Sequence, residues 1–121
     1  MAYNVAVLGA SSNQERYSYK AVMMLLEYGY KVFPVHPSQK PINGVKCHAN
    51  LGAIGEKVDT ITVYLGEKNS TPLIDDIIDI KPRRVILNPG AENEDLKQKC
   101  EAAEIEVMEA CTLVLLRTGQ F

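Results

Sequence analysis

Tryptophan is absent, phenylalanine occurs twice, histidine twice and cysteine three times in this chain of 121 residues. The thiols, Cys47, Cys100 and Cys111, are odd in number and irregular in spacing, and no CxxC pair suggests a zinc knuckle or a thioredoxin-like motif. Reduced cysteines in a cytosolic compartment are the expectation. No charge of one sign dominates, since 13 Lys and Arg stand against 15 Asp and Glu for a formal net charge of −2. That balance leaves no broad basic surface of the kind duplex nucleic acid demands, although a local anion site remains open. Long hydrophobic runs are missing as well. Val5 to Ala10 is too short for a secretory signal or a membrane span, and Met1 to Asn4 carry no positive charge, so a cytoplasmic protein without membrane contact is expected.

What remains is an ordinary globular balance, 46% hydrophobic and 23% charged residues, at the length of one domain, 1–121, with a single core. The hydrophobic pattern switches between short strand-like runs and helical spacing, as βαβ units require. Val5 to Leu8 reads as a parallel strand covered on both faces, stopping at Gly9. Ser18 is a candidate cap for a helix with Ala21, Val22, Leu25 and Leu26 on one face, closed at Gly29. Lys31 to Val35 is the second strand, Thr60 to Leu65 the third, Arg84 to Leu87 the fourth and Ile105 to Met108 the fifth. Leu51 to Ile54 suits a short helix, Thr71-Pro72 starts another, and Glu92, Glu94 and Asp95 place negative charge at the start of the last. Cys100 should face the core from that last helix. Val114 to Leu116 form an apolar tail that suits either the sheet or a homodimer contact. The simplest arrangement is a doubly wound, Rossmann-like sheet of five parallel strands in the order 3-2-1-4-5.

In such a sheet, ligands bind beyond the carboxyl ends of the strands. Gly9-Ala10-Ser11-Ser12 follows the first strand and leads through Arg16 to the helix, so small residues and a helix N-terminus together suit a phosphate. A nicotinamide dinucleotide site would show GxGxxG here and an acidic residue after the second strand. Only Gly9 of those glycines is present, and the second strand ends in Pro34-Val35-His36-Pro37-Ser38-Gln39-Lys40. Donors and a cation in place of the carboxylate suit a phosphorylated ribose better than a free hydroxyl pair. Cys47 and His48 are neighbours whose side chains point apart in an extended chain, which disfavours a nucleophile–base pair. Cys111, after the fifth strand, falls near the ligand edge, although a buried small hydrophobe is the commoner fate of such a thiol.

Val5-Ala6-Val7-Leu8-Gly9-Ala10-Ser11-Ser12, Arg16-x-Ser18-Tyr19, Gly29 to Pro37 and Ile42-x-Gly44, followed by Val58-Asp59, Gly90-x-x-Asn93-Glu94 and Val107-Met108, together resemble the CoA-binding protein family. That family is the stand-alone counterpart of the nucleotide-binding domain in the succinyl-CoA synthetase alpha chain and related acyl-CoA synthetases. The resemblance implies coenzyme A, free or acylated, as the ligand. It further implies that the backbone of Gly9, Ala10, Ser11 and Ser12 and the side chain of Arg16 hold the pyrophosphate, with Ser18 and Tyr19 beside it. Val35, His36, Pro37, Ser38 and Lys40 would flank the adenosine and its 3′-phosphate, and Val63, Tyr64 and Leu65 would line the adenine side. The chain departs from the family pattern at His36, where asparagine is common, at Tyr17, where proline is common, and at Asn88-Pro89.

The resemblance does not bring a catalytic apparatus with it. No segment resembles the phosphohistidine loop of the synthetases, no metal-ligand spacing occurs, and no complete nucleophile–base constellation is found. The expectation is therefore a non-catalytic protein that senses, carries or delivers CoA or acyl-CoA. Two alternatives stand beside it: an NAD(P)-binding redox sensor or oxidoreductase, and a CoA-binding subunit of an acyl-CoA ligase acting in trans. A protein partner or a second copy of the chain is left open.

Overall fold

In a computed structural model describing residues 3–121, five parallel strands carry helices on both faces. Met1 and Ala2, included in the expected domain, lie outside the described residues. Strand β1 spans Asn4–Leu8 and runs into helix α1, Tyr17–Glu27. Strand β2 is Lys31–Val35, and a single 3-10 turn at Leu51–Ala53 precedes β3, Thr60–Val63. Helix α2, Glu67–Ser70, passes through a 3-10 turn at Thr71–Leu73 into α3, Ile74–Asp79. Then come β4 (Arg84–Leu87), α4 (Glu94–Ala102), β5 (Glu106–Glu109) and α5 (Thr112–Arg117).

The strand order is 2-1-3-4-5, not the expected 3-2-1-4-5. The cause lies in β2. In a parallel strand the N–H and C=O of one residue point to the same side, and the Pro34 carbonyl points outward to accept from His48 N–H at 2.8 Å. The proline nitrogen, which has no proton to donate, therefore also faces away from β1, as an edge strand permits and a central one does not. Strand β3 is buried at all four positions and sits between β1 and β4. A strand so completely covered belongs inside a sheet rather than at its rim.

Alternation along β1 divides the core in two. Ala6 and Leu8 pack with Phe33, Ile61, Val85 and Leu96 on the face covered by α3 and α4. Val5 and Val7 pack with Val22, Leu25, Val32 and Leu116 on the face covered by α1 and α5. The apolar tail expected at Val114 to Leu116 is thus a helix, and it pads the sheet through Leu115 and Leu116 while Val114 stays half-exposed.

Several local expectations change in detail. Arg16, not Ser18, occupies the cap position of α1, and no side chain bonds to the helix start there; Ser18 is the second residue of the helix and buried. Gly29, at φ +88°, ends the helix: its N–H donates to Leu26 and that of Tyr30 to Leu25, the paired bonds of a left-handed helix stop. The helix expected from Thr71-Pro72 starts four residues earlier, at Glu67. The last helix of the expectation is capped by Asn93, whose Oδ1 accepts from Leu96 N–H at 3.1 Å, and it buries Cys100 completely. Among the described residues, no helix is long and apolar enough to cross a membrane.

Candidate functional site

The observed topology moves the reversal of strand order to the gap between β1 and β3, which is where an open α/β sheet leaves a crevice at its carboxyl edge. Gly9 lies on one side of that gap and Tyr64 and Leu65 on the other. The turn can be built only with glycine. Its φ is +90°, and a Cβ there would stand 2.9 Å from Leu65 Cδ2 and 3.3 Å from the Tyr64 carbonyl carbon.

The donors of the turn are not all free. Both Gly9 N–H and Ala10 N–H donate to the Val35 carbonyl at 3.1 Å, and the Ala10 side chain is buried. Asn13 N–H donates to Ser11 Oγ, and Asn13 in turn receives Glu15 N–H on its side chain and Arg16 N–H on its carbonyl. The N–H groups of Ser11 and Ser12 carry no bond within the described structure. They face the same turn as the exposed Arg16 and the first turn of α1, which has no acidic residue in it. An anion would meet backbone donors, a guanidinium and the positive end of a helix here.

Two cavities flank the turn. The first, of about 340 Å³, lies over β2, β1 and β3 and is walled by Leu8, Val35, Leu51, Leu65 and Leu73, with His36 at its rim. Asn69 and Asp76 add polar groups from α2 and α3. The His36 ring is tied to its own loop, since Nδ1 takes Ser38 N–H at 3.0 Å and lies 2.8 Å from Ser38 Oγ. The loop beyond is held against the edge strand by His36 N–H donating to the His48 carbonyl at 2.9 Å.

The second cavity, of about 270 Å³, opens on the α1 and α5 face between Tyr17, Tyr64, Asn88, Pro89, Cys111 and Leu113. A buried network forms its floor. Asn88 donates to Thr62 Oγ1 at 2.7 Å and to the Val63 carbonyl at 2.9 Å, while its own carbonyl accepts Thr112 N–H at 2.9 Å. The Thr62 and Thr112 hydroxyls bond each other at 2.7 Å. Tyr64 Oη is buried above this network without a hydrogen-bond partner. Burial pushes its phenol up to about 12; the hydroxyls of Thr112 and Thr62 pull the other way but lie outside bonding geometry.

The residues expected at the site therefore divide. Gly9, Ser11, Ser12 and Arg16 share the turn, and His36, Pro37 and Leu65 share the first cavity with Val35, whose side chain is buried. Ser38 and Lys40 are exposed on the adjoining loop. Ser18 and Val63 are core residues, and Tyr19 is half-buried against the core cluster that holds Ala10. Tyr64 points to the second cavity, away from Leu65, because neighbouring residues leaving a strand turn to opposite faces. Leu51, Leu73, Asn69 and Asp76 come from segments distant in sequence, and only the fold brings them to the first cavity. Cys111 lines the second cavity half-buried, whereas Cys47 and Cys100 are buried and desolvation raises both thiols above their ordinary range, Cys100 to about 11. Among the described residues no cluster of His, Cys, Asp and Glu is arranged to hold a metal.

Comparison with known proteins gives the same chemistry a family. Residues 3–117 match the family described as CoA binding domain. The alpha subunit of an ADP-forming acetate–CoA ligase from Pyrococcus furiosus is 32% identical over 65 residues, which are 53% of this chain and 14% of that subunit. The uncharacterized protein YneT of Bacillus subtilis is 23% identical over 111 residues, 91% of this chain and 82% of its own. A crystal structure of an uncharacterized protein superposes with a TM-score of 0.94 at 34% identity, covering 100% of this chain and 99% of the other.

Proposed function

The chain belongs to the CoA binding domain family, and from that premise we propose that it is a cytoplasmic, non-catalytic binder of CoA or acyl-CoA that senses, carries or delivers the cofactor. The observation that carries this reading is the Gly9 turn at the β1/β3 gap, with free donors at Ser11 and Ser12 and a cavity on either side. The pyrophosphate would rest on those two N–H groups, Arg16 and the start of α1. The adenine would enter the mostly apolar first cavity between Leu65 and Val35, with the 3′-phosphate outward over the loop that holds Ser38 and Lys40. The pantetheine arm would then cross the strand ends toward the second cavity.

A nicotinamide dinucleotide fits less well. After β2 stands His36-Pro37 rather than a carboxylate, so the two ribose hydroxyls would lack their usual acceptor. The similarity to a ligase subunit supports a second reading, a CoA-binding subunit that meets its catalytic partner in trans. In that case the chain alone turns over no acetate with CoA and ATP or ADP, and a partner protein restores turnover.

Thermal unfolding with CoA, acetyl-CoA, NAD and NADP at matched concentrations tests the reading. A ligand present at about 100 times its dissociation constant adds about 2.7 kcal/mol, or roughly 10 °C for a chain of this size. CoA or its acetyl ester should give that shift. An equal or larger shift with NAD or NADP would replace the CoA reading with a dinucleotide one.

A further inference from the structure

The two cavities differ in what their walls can bind. The first carries His36 and Asp76, whereas the lining of the second, Tyr17, Tyr64, Asn88, Pro89, Cys111 and Leu113, holds no lysine, arginine, histidine, aspartate or glutamate. Its polar groups are already committed. Both Asn88 amide protons and the Asn88 carbonyl are bonded within the floor, and Pro89 has no N–H to offer. Tyr64 Oη is closed off beneath the surface, so the part of that half-buried side chain open to the cavity is ring carbon. The Cys111 thiol is a weak hydrogen-bonding group that packs like a small hydrophobe. The burial that keeps the Tyr64 phenol neutral also disfavours any other anion beside it. Charged groups tied to the rim do not reverse this. Lys20 Nζ stands 5.4 Å from the centre of the exposed Tyr17 ring and is itself exposed, and the exposed Glu92 carboxylate accepts Gly90 N–H at 3.1 Å, one residue beyond Pro89.

We propose that the second cavity seats a short, uncharged acyl chain, so that the ligand the protein selects is a fatty acyl-CoA of a few carbons, and acyl groups ending in a carboxylate are turned away. This rests on the CoA reading, which brings the pantetheine arm to this side of the sheet, and it chooses among the acyl groups that reading leaves open. Volume sets the length. At about 270 Å³ the cavity is smaller than the roughly 300–1,000 Å³ of a pocket that takes a whole drug-sized molecule, and it suits a chain of a few carbons. Charge sets the chemistry, because a carboxylate carried between these walls would give up its water and find no partner.

Calorimetric titration of the wild-type protein with CoA and with its acetyl, propionyl, butyryl and succinyl thioesters tests the proposal. From acetyl to butyryl, each added methylene should tighten binding about 2-fold to 4-fold. Succinyl-CoA has the chain length of butyryl-CoA with a carboxylate in place of the terminal methyl, and it should bind about 10-fold more weakly or worse. Cys111→Leu narrows the cavity and should shrink the preference for butyryl-CoA over CoA to less than about twofold, with circular dichroism to confirm folding. Should that variant fail to fold, the wild-type series still decides. Thioesters that all bind within about twofold of CoA would leave the acyl group in water. Succinyl-CoA as tight as butyryl-CoA would make the site polar, and an undiminished butyryl preference in folded Cys111→Leu would put the chain elsewhere. Each of these three results refutes the proposal while the CoA reading stands. If wild type binds none of the five ligands, the CoA reading itself is lost, and this proposal with it.

Discussion

Arg16 stands where the Gly9 turn meets α1, and the occupied donors around it raise its importance. Gly9 and Ala10 have already given their N–H groups to Val35, so on the proposed reading a pyrophosphate would depend on Ser11, Ser12 and the one guanidinium within that segment. Hydrogen bonds to charged groups contribute about 1.5–3 kcal/mol, so Arg16→Ala should weaken CoA about 10-fold to 150-fold without changing the circular dichroism spectrum. A well-folded variant within about twofold of wild type, a difference near 0.4 kcal/mol, would take Arg16 out of the site. Tyr64 makes a different prediction. Its phenol is raised to about 12 by burial, so the folded protein favours the protonated form. The stabilisation is complete below about pH 10, the ordinary tyrosine value, and is lost as pH rises toward 12. Tyr64→Phe should remove up to about 2–3 kcal/mol of that alkaline loss. At neutral pH it should be neutral or stabilising by about 1 kcal/mol, because it deletes a buried hydroxyl with no partner. Urea titrations at both pH values check this, and an equal alkaline loss in the variant would contradict it. The turn itself was legible in the sequence because glycine and serine advertise it. Which of its donors are free was not, because that depends on the Val35 carbonyl arriving from β2.

At the level of elements, all five strands were readable from short apolar or β-branched runs, with boundaries off by one or two residues at β1, β3 and β5. Their order was not read correctly, although Pro34 held the clue: a proline inside a parallel strand marks an edge. Helix α5 was missed because six residues are too few to display helical periodicity. What holds it is long-range, namely Leu116 against Val5, Val7 and Leu25, and Asn88 beneath its first turn. Asn88 joins β3, β4 and α5 through three hydrogen bonds. Asn88→Ala would leave Thr112 N–H without a partner in a buried site, while the Val63 carbonyl keeps the backbone N–H of residue 88 at 3.3 Å; the cost should be about 2–4 kcal/mol, since each lost bond carries about 1 kcal/mol and the orphaned Thr112 N–H adds desolvation. Faster amide exchange at Thr112 should accompany the loss. A variant as stable as wild type would mean that the network does not anchor α5, and the second cavity would then lack a fixed floor.

For the whole molecule, the two cavities and the turn between them lie along one edge of the sheet, and the charge balance of −2 gives the rest of the surface no long-range pull on an anion. Recognition must then be local. The likeness to CoA-binding proteins was legible because its motifs run in order over nearly the whole chain, while the split of Tyr64 and Leu65 onto opposite faces became clear only with the sheet in place. A nitrogen-15 amide titration with CoA addresses the central claim without assuming any single contact. Saturable shifts at one equivalent are predicted at Ser11, Ser12, Arg16 to Tyr19, His36, Ser38 and Leu65, with the amino-terminal ends of the strands silent. Shifts confined to that opposite edge, around Lys81 to Arg83 and Glu104, or no saturable shift at all, would contradict the account.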